Sequence, residues 1–207
     1  MREGQVTGVL ARAIDAIAWW PLRVTGDRGG RPRGVLWVWV AWDALLRRIW
    51  RSRYVREGGL VLYRVVRHSG PDVRLADGTI VALGDHIVEV HLDNLLLPML
   101  AGGGAAPLTA LRAFANDIAA LRSLASSGAL GDVRAIRGTS LLAPATRHVG
   151  AEVHPLPHSA ANAFVHYFLV GLVALRHPRG WSAASHYRRR WPAQLWFSLS
   201  GYRQTDA

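Results

Sequence analysis

The fold of this chain is decided by residues 60–94, which read LVLYRVVRHSGPDVRLADGTIVALGDHIVEVHLDN. Residues 60–67 are rich in Val, Leu and Tyr, side chains that favour a β-strand. Ser69, Gly70 and Pro71 follow at once, and residues of these types end strands and favour turns. We therefore predict a strand over residues 60–67, and we expect most of the chain to pack around this region.

A short β-hairpin is predicted directly after this turn. Residues 72–75 and 79–83 flank Asp77-Gly78, a pair suited to the positive φ of a tight turn. Gly84-Asp85 then breaks the run, so we expect a new strand from Ile87.

The strand that starts at Ile87 has one apolar face and one mostly ionisable face. Successive side chains point to opposite sides, so the apolar residues at 88, 90 and 92 share one face. Glu89, His91 and Asp93 share the other face with Ile87, and their Cβ atoms are spaced roughly 6 to 7 Å apart. This spacing lets the three side chains converge on one ligand.

Glu89, His91 and Asp93 are the candidate catalytic residues. A carboxylate beside an imidazole suits an acid/base pair, and the same residue types also ligate metals. The alternative is a strand face on which a carboxylate pairs with a neighbouring Arg or imidazole. Without a second distant cluster the pattern does not separate these interpretations, and we assign no metal ligand.

Composition limits the classes of protein to which the chain can belong. At 207 residues, half of them hydrophobic, it fits one folded domain of ordinary size. It has no cysteine, which excludes disulfides, thiolate zinc sites and cysteine nucleophiles. Without cysteines, the sequence does not indicate the redox state of the compartment in which the protein works.

The charge is strongly basic. The net charge is +11, and all 25 basic residues are Arg. A protein with such an excess of positive charge attracts nucleic acid, anionic lipid or acidic polymers at low salt. Arginine without lysine also fits a coding bias combined with generic solvation. The arginines are scattered and no nucleic-acid motif is present, so nonspecific nucleic-acid binding ranks third among the functions considered.

No targeting or spanning segment is predicted. The first 20 residues include Glu3, Arg12 and Asp15 and lack the apolar core of a secretory signal. The longest apolar runs, 34–42 and 164–175, are too short to span a bilayer. We expect a cytoplasmic protein or one peripheral to the membrane.

The N-terminal region is predicted to be an appendage. Residues 6–20 have the spacing of an amphipathic helix, and the Gly- and Arg-rich residues 25–34 form a linker. We therefore divide the chain into a segment 1–34 and an α+β domain 35–207. The domain begins with a helix over 35–51, whose predicted core face is Val35, Trp39, Trp42, Leu46 and Ile49.

A second helix is predicted after a glycine triplet, Gly102, Gly103 and Gly104. Glycines ahead of a helix can cradle phosphate on backbone N–H groups, but no P-loop or dinucleotide fingerprint is present. Pro107 suits the first turn of the helix. Its predicted buried face is Leu108, Leu111, Ala115, Ile118, Leu121 and Ala125.

The C-terminal part is predicted to alternate between strands and helices. We expect a strand over 132–136, a short helix over 141–149 ended by Gly150, and a strand over 151–156. Ser159 is the predicted N-cap of a helix over 160–176 with Phe164, Phe168, Leu172 and Leu175 in the core. A final strand is predicted at 195–197. The expected fold is a single α+β domain, with a mostly antiparallel central sheet flanked by about three helices.

Several of these segments resemble the bacterial YkoP-like domain. They are RYVREGGLVLYRVVRHSGPDVRLADGTIVALGDHIVEVHLDN (53–94), DVRAIRGTSLL (132–142), RHVGAEVHPL (147–156) and HPRG (177–180). Members of that family occur alone or behind polysaccharide deacetylase modules. The resemblance implies an accessory module associated with envelope polysaccharide, and it carries over no catalytic residue.

The element order also resembles that of GNAT acetyltransferases. In that superfamily a pyrophosphate loop follows the central strand, whereas here Asn94 is followed by LLLPML before any glycine. If the fold is GNAT-like, acetyl-CoA would lie near Gly102–104. No Tyr lies between residues 64 and 166, so the helix at 141–149 lacks the superfamily's usual general acid.

We therefore expect a non-catalytic module that binds polysaccharide or a partner protein. The alternative is an enzyme, either a GNAT-like acyltransferase or a hydrolase that uses Glu89, His91 and Asp93. Neither the cofactor nor the oligomeric state can be read from the sequence.

Overall fold

A computed structural model describes residues 52–93, 106–177 and 180–200, together with four helical positions between 41 and 49. The predicted segment 1–34 and the glycines at 102–104 lie outside the described residues. Of the predicted helix 35–51, Ala41, Leu45, Arg48 and Ile49 are described, and all four are helical. Ile49 is 62% exposed, so its assignment to the core is wrong.

Besides the helical positions between 41 and 49, the described part of the chain contains eight strands, three α-helices and one 3₁₀ helix. The strands are β1 Arg53–Tyr54, β2 Val61–Arg67, β3 Val73–Arg74, β4 Ile80–Val81, β5 His86–Leu92, β6 Ala135–Ser140, β7 Glu152–Pro155 and β8 Ala193–Ser198. The helices are α1 Ala106–Ser126, the 3₁₀ helix Ala143–Val149, α2 Ala160–Arg176 and α3 Gly180–Tyr187. The predicted α+β class is confirmed.

Six strands form one mixed sheet in the order β1-β2-β5-β6-β8-β7. Every described pair in it is antiparallel except β5 with β6, which confirms a mostly antiparallel sheet. The parallel pair is joined through α1, because parallel neighbours need a crossover connection. The last strand, β8, lies between β6 and β7.

The predicted hairpin forms a separate two-stranded sheet of β3 and β4. Val73 pairs with Val81 and Arg74 with Ile80. Gly78 has φ 86, a conformation that a residue with a Cβ adopts only at a cost. The turn predicted at Asp77-Gly78 is therefore confirmed. The Thr79 amide donates to Asp77 Oδ1 at 2.9 Å and closes the turn.

Helix α1 covers one face of the large sheet. Phe114, Ile118 and Leu121 are buried there in one cluster with Val88 and Phe197 from the strands. Ile118, Leu121 and Ala125 were predicted to be buried, and they are. Leu108 is 61% exposed, so its assignment to the core is wrong: the buried stripe begins later in the helix and includes Phe114.

Element boundaries in the C-terminal part agree in places and differ in others. Helix α2 begins and ends as predicted, and the Ser159 side chain accepts from the Asn162 amide at 3.2 Å. Gly150 caps the 3₁₀ helix with φ 82, also as predicted. The strand expected at 132–136 instead runs over Ala135–Ser140. Phe164 is 59% exposed, so placing it in the core was wrong.

Helix α2 buries Val170 and Ala174 against Leu141, which follows β6, and Ala184 of α3. Helix α3 was not predicted. Among the described helices, none combines the length and apolarity needed to cross a membrane.

Candidate functional site

Polar side chains gather on the sheet face opposite α1. Strand register places Arg64, Glu89, Arg137, Trp196 and Glu152 in one row across five strands, from β2 to β7. A second row, two residues further along, includes Thr139, Gln194 and His154 as direct neighbours. We call the following residues the polar strip: Arg64, Glu89, His91, Arg137, Thr139, Glu152, His154 and Gln194.

Glu89 is held between two arginines. Arg64 lies on β2 opposite Glu89, and its Nε donates to Glu89 Oε2 at 2.7 Å while its Nη2 donates to the same oxygen. Arg137 lies beside Glu89 on β6, and its Nη2 donates to Oε1 at 2.8 Å. Both carboxylate oxygens therefore accept charged hydrogen bonds, which are stronger than neutral ones.

This cluster controls the protonation of Glu89. Burial raises the pKa of the carboxyl, but the nearby His91 imidazole and the hydrogen bonds from Arg64 and Arg137 outweigh burial and hold the pKa far below its ordinary value. Glu89 is therefore ionised throughout the physiological range. A carboxylate with so low a pKa is a poor general acid and a weak general base at neutral pH.

The three candidate residues of β5 are in different surroundings. His91 lies near Glu89, with 3.7 Å between His91 Nε2 and Glu89 Oε2. Asp93 is 2% exposed and accepts from the Tyr54 hydroxyl at 2.5 Å, while its amide donates to Leu60 O at 2.8 Å. The strand thus brings Glu89 and His91 together, whereas Tyr54 of β1 engages Asp93.

Trp196 forms the floor of the polar strip. The indole is fully buried, and the Arg137 guanidinium lies 5.8 Å from its ring centroid. The indole Nε1 donates to Gln194 Oε1 at 3.2 Å, and the His68 ring meets its edge at a centroid distance of 5.8 Å. Because Trp196 is inaccessible, it positions Arg137 and Gln194 and offers no stacking surface.

Two strip residues on β7 were missed by the sequence analysis. Glu152 Oε2 lies 3.6 Å from His154 Nε2, the same type of contact as in the pair on β5. The Glu152 Oε1 atom also accepts from the Ala76 amide at 2.8 Å. The missed signal was the tripeptide Glu-Val-His, which occurs at 89–91 and again at 152–154. Within the described ranges, no group of three or more His and carboxylate residues has the geometry of a metal site.

The hairpin β3–β4 borders the strip. Thr79 Oγ1 lies 2.9 Å from Ser198 Oγ, and the Ser200 hydroxyl donates to Asp77 Oδ2 at 3.0 Å. Burial raises the pKa of Asp77, but hydrogen bonds from Ser198, Thr79 and Ser200 outweigh it and lower the pKa to about 2. These contacts fix the hairpin against β8.

A family model for the YkoP domain matches residues 32–203, which is most of the chain. The chain therefore belongs to the YkoP domain family, as the segments compared in the sequence analysis suggested. Searches of curated proteins and of solved structures found no significant match.

The low pKa of Glu89 makes stability depend on pH. Because the folded-state pKa lies below the unfolded one, Glu89 contributes stability above its ordinary pKa of 4.5 and loses it as pH falls below that value. We expect Glu89→Gln to lower the free energy of unfolding by about 1–2 kcal/mol at neutral pH. The loss is moderate because the ion pairs of Glu89 with its two arginines are partly solvated and therefore weaker than fully buried ones. Urea unfolding at a series of pH values measures this difference.

The difference between wild type and Glu89→Gln should shrink as the solution becomes more acidic. The exposed Glu57 provides the control, because Glu57→Gln should leave the free energy of unfolding unchanged at every pH. A Glu89→Gln deficit that stays constant from neutral pH to strongly acidic pH would contradict the assignment.

Proposed function

We propose that this YkoP domain is a non-catalytic module whose polar strip binds an envelope polysaccharide. The observation that carries the proposal is the Arg64–Glu89–Arg137 cluster on the sheet face opposite α1. The three side chains are 25%, 17% and 17% exposed, so they are fixed by one another and still reach solvent. Pre-organised polar groups of this kind bind a ligand without first losing side-chain freedom.

The state of Glu89 favours binding over proton transfer. Both of its oxygens already accept hydrogen bonds from arginines, and its low pKa keeps it ionised. Its contribution is to orient Arg64 and Arg137 rather than to exchange a proton. The polar strip then acts through donors and acceptors at fixed positions.

The chemistry of the strip suits a ligand rich in hydroxyl groups. Arginines donate, glutamates accept, and the Thr139 hydroxyl and the Gln194 amide do both. A sugar hydroxyl also donates and accepts, so it can meet either kind of neighbour. The charges of Arg64 and Arg137 are balanced by Glu89 and Glu152, so the strip itself offers a polyanion no net attraction. The resemblance to the YkoP-like domain implies an association with polysaccharide deacetylase modules, and such an association would favour the same class of ligand.

Isothermal titration calorimetry with chitohexaose tests the proposal. We expect Arg137→Ala to weaken binding by roughly tenfold or more, the equivalent of about 1.4 kcal/mol lost with a charged hydrogen-bond donor. Arg134→Ala is the matched control, because Arg134 is exposed and lies just before β6, outside the polar strip. Equal affinities of wild type and Arg137→Ala, or no binding of chitohexaose by wild type, would refute the proposal.

A GNAT-like acyltransferase is the second candidate. It is supported by the parallel pair β5–β6, joined through α1, and by the insertion of β8 between β6 and β7. In sheets with parallel strands, ligands bind beyond the carboxyl ends of those strands. Glycines 102–104 precede α1 in the sequence and remain the predicted phosphate contact. Acetyl-CoA in the same calorimeter separates the candidates, since the binding module should give no heat with it.

A further inference from the structure

The same tripeptide occupies two strands of the polar strip. Glu89-Val90-His91 lies on β5 and Glu152-Val153-His154 lies on β7. In each copy the imidazole Nε2 lies close to the glutamate Oε2, at 3.7 Å on β5 and 3.6 Å on β7. The two units therefore carry the same chemical groups at similar separations.

Both units face the same side of the sheet. The register runs from Glu89 to Arg137, then to Trp196, then to Glu152, so three strand spacings separate the glutamates. At about 4.8 Å per spacing, the two units lie roughly 14 Å apart. Arg137, Thr139 and Gln194 occupy the strands between them.

The hairpin β3–β4 packs against the polar strip. The Ala76 amide at the hairpin turn binds Glu152, and Thr79 contacts Ser198 at the end of β8. Leu75 and Val81 of the hairpin pack with Trp196 in one buried cluster. The hairpin therefore packs over the first row at Trp196 and Glu152, and the second row, which includes Thr139, Gln194 and His154, lies two residues further along the strands.

We infer that the polar strip takes an oligosaccharide laid across β5, β6, β8 and β7, with one Glu-Val-His unit at each end. Arg137, Thr139 and Gln194 contact the middle of the chain. A single sugar ring cannot reach both units, so the ligand is an oligomer. This inference rests on the proposed function and adds the length and direction of the bound chain.

Titration with chitohexaose and chitobiose tests the inference. We expect the hexasaccharide to bind wild type at least tenfold more tightly than the disaccharide. His91→Ala and His154→Ala should each weaken hexasaccharide binding by roughly three- to tenfold, the equivalent of one net hydrogen bond. His86→Ala is the matched control, because His86 is exposed and lies on β5 but faces the other side of the sheet.

The outcomes separate this inference from the function on which it rests. If His91→Ala weakens binding and His154→Ala does not, the bound chain does not reach β7 and the inference is overturned, while the proposed function stands. Equal affinity for both sugars overturns it in the same way. No binding of either sugar by wild type overturns both. If His154→Ala lowers the melting temperature, His154→Gln replaces it, since it tests the same position on β7.

Discussion

Replacing Asp117 by Ala is expected to destabilise the domain by about 3–5 kcal/mol, because two buried amides lose their acceptor at about 1–3 kcal/mol each. Asp117 lies on α1 and is fully buried. Its Oδ2 accepts from the amides of Leu60 and Val61, at 2.7 and 2.9 Å, and its Oδ1 accepts from Arg56 Nε at 2.7 Å. The alanine variant leaves two amides at the start of β2 without an acceptor. Urea unfolding monitored by circular dichroism measures this decrease in the free energy of unfolding.

The chain also approaches this carboxylate closely at Gly59. A Cβ on Gly59 would lie 3.0 Å from Asp117 Oδ1, so glycine is what allows the chain to approach it. The neighbouring Asn116 is exposed on the same helix, and Asn116→Ala should change the free energy of unfolding by no more than about 0.5 kcal/mol. A loss below about 1 kcal/mol for Asp117→Ala would show that water replaces the missing acceptor.

Replacing Trp196 by Ala is expected to lower the free energy of unfolding by about 3–5 kcal/mol, because it removes a fully buried indole and leaves a cavity. Trp196 belongs to one buried cluster with Leu75 and Val81 of the hairpin and with Ile87 and Ala135 of the sheet. The variant therefore loosens the hairpin as well as the floor of the polar strip. We expect the melting transition to broaden and chitohexaose binding to weaken with it.

A phenylalanine at this position separates packing from hydrogen bonding. Trp196→Phe keeps most of the apolar volume and removes only the 3.2 Å hydrogen bond to Gln194, so it should cost less than half as much as Trp196→Ala. Equal losses in the two variants would mean that the indole N–H, and not its volume, stabilises this region.

Local signals in the sequence predicted the turns and caps well. The positive φ at Gly78 and Gly150 and the cap at Ser159 depend on residues adjacent in the chain, so their chemistry is visible in a short window. The alternating face of β5 was visible for the same reason. The mostly antiparallel sheet was predicted as well, and the strand pairing confirms it.

Features that depend on pairing between distant segments were not predicted. Periodicity shows which residues share a helix face but not how far that face extends into the core, and so Leu108 and Phe164 were misplaced. The partners of Glu89 come from β2 and β6, and only the register reveals that Arg64 and Arg137 meet it. Asp117 was missed because a carboxylate in a helix is usually solvated, and its buried acceptor role depends on a loop far away in sequence.

The place of β8 between β6 and β7 bears on the order of events during synthesis. Strands β6 and β7 do not pair with each other, because β8 lies between them. Among the described strands, β7 therefore has no partner until residues 193–198 have left the ribosome. Until then β6 exposes an unpaired edge, the kind of surface that recruits foreign strands. The described sheet is therefore completed only when β8, the last of the described strands, enters a gap between two strands rather than adding to a rim.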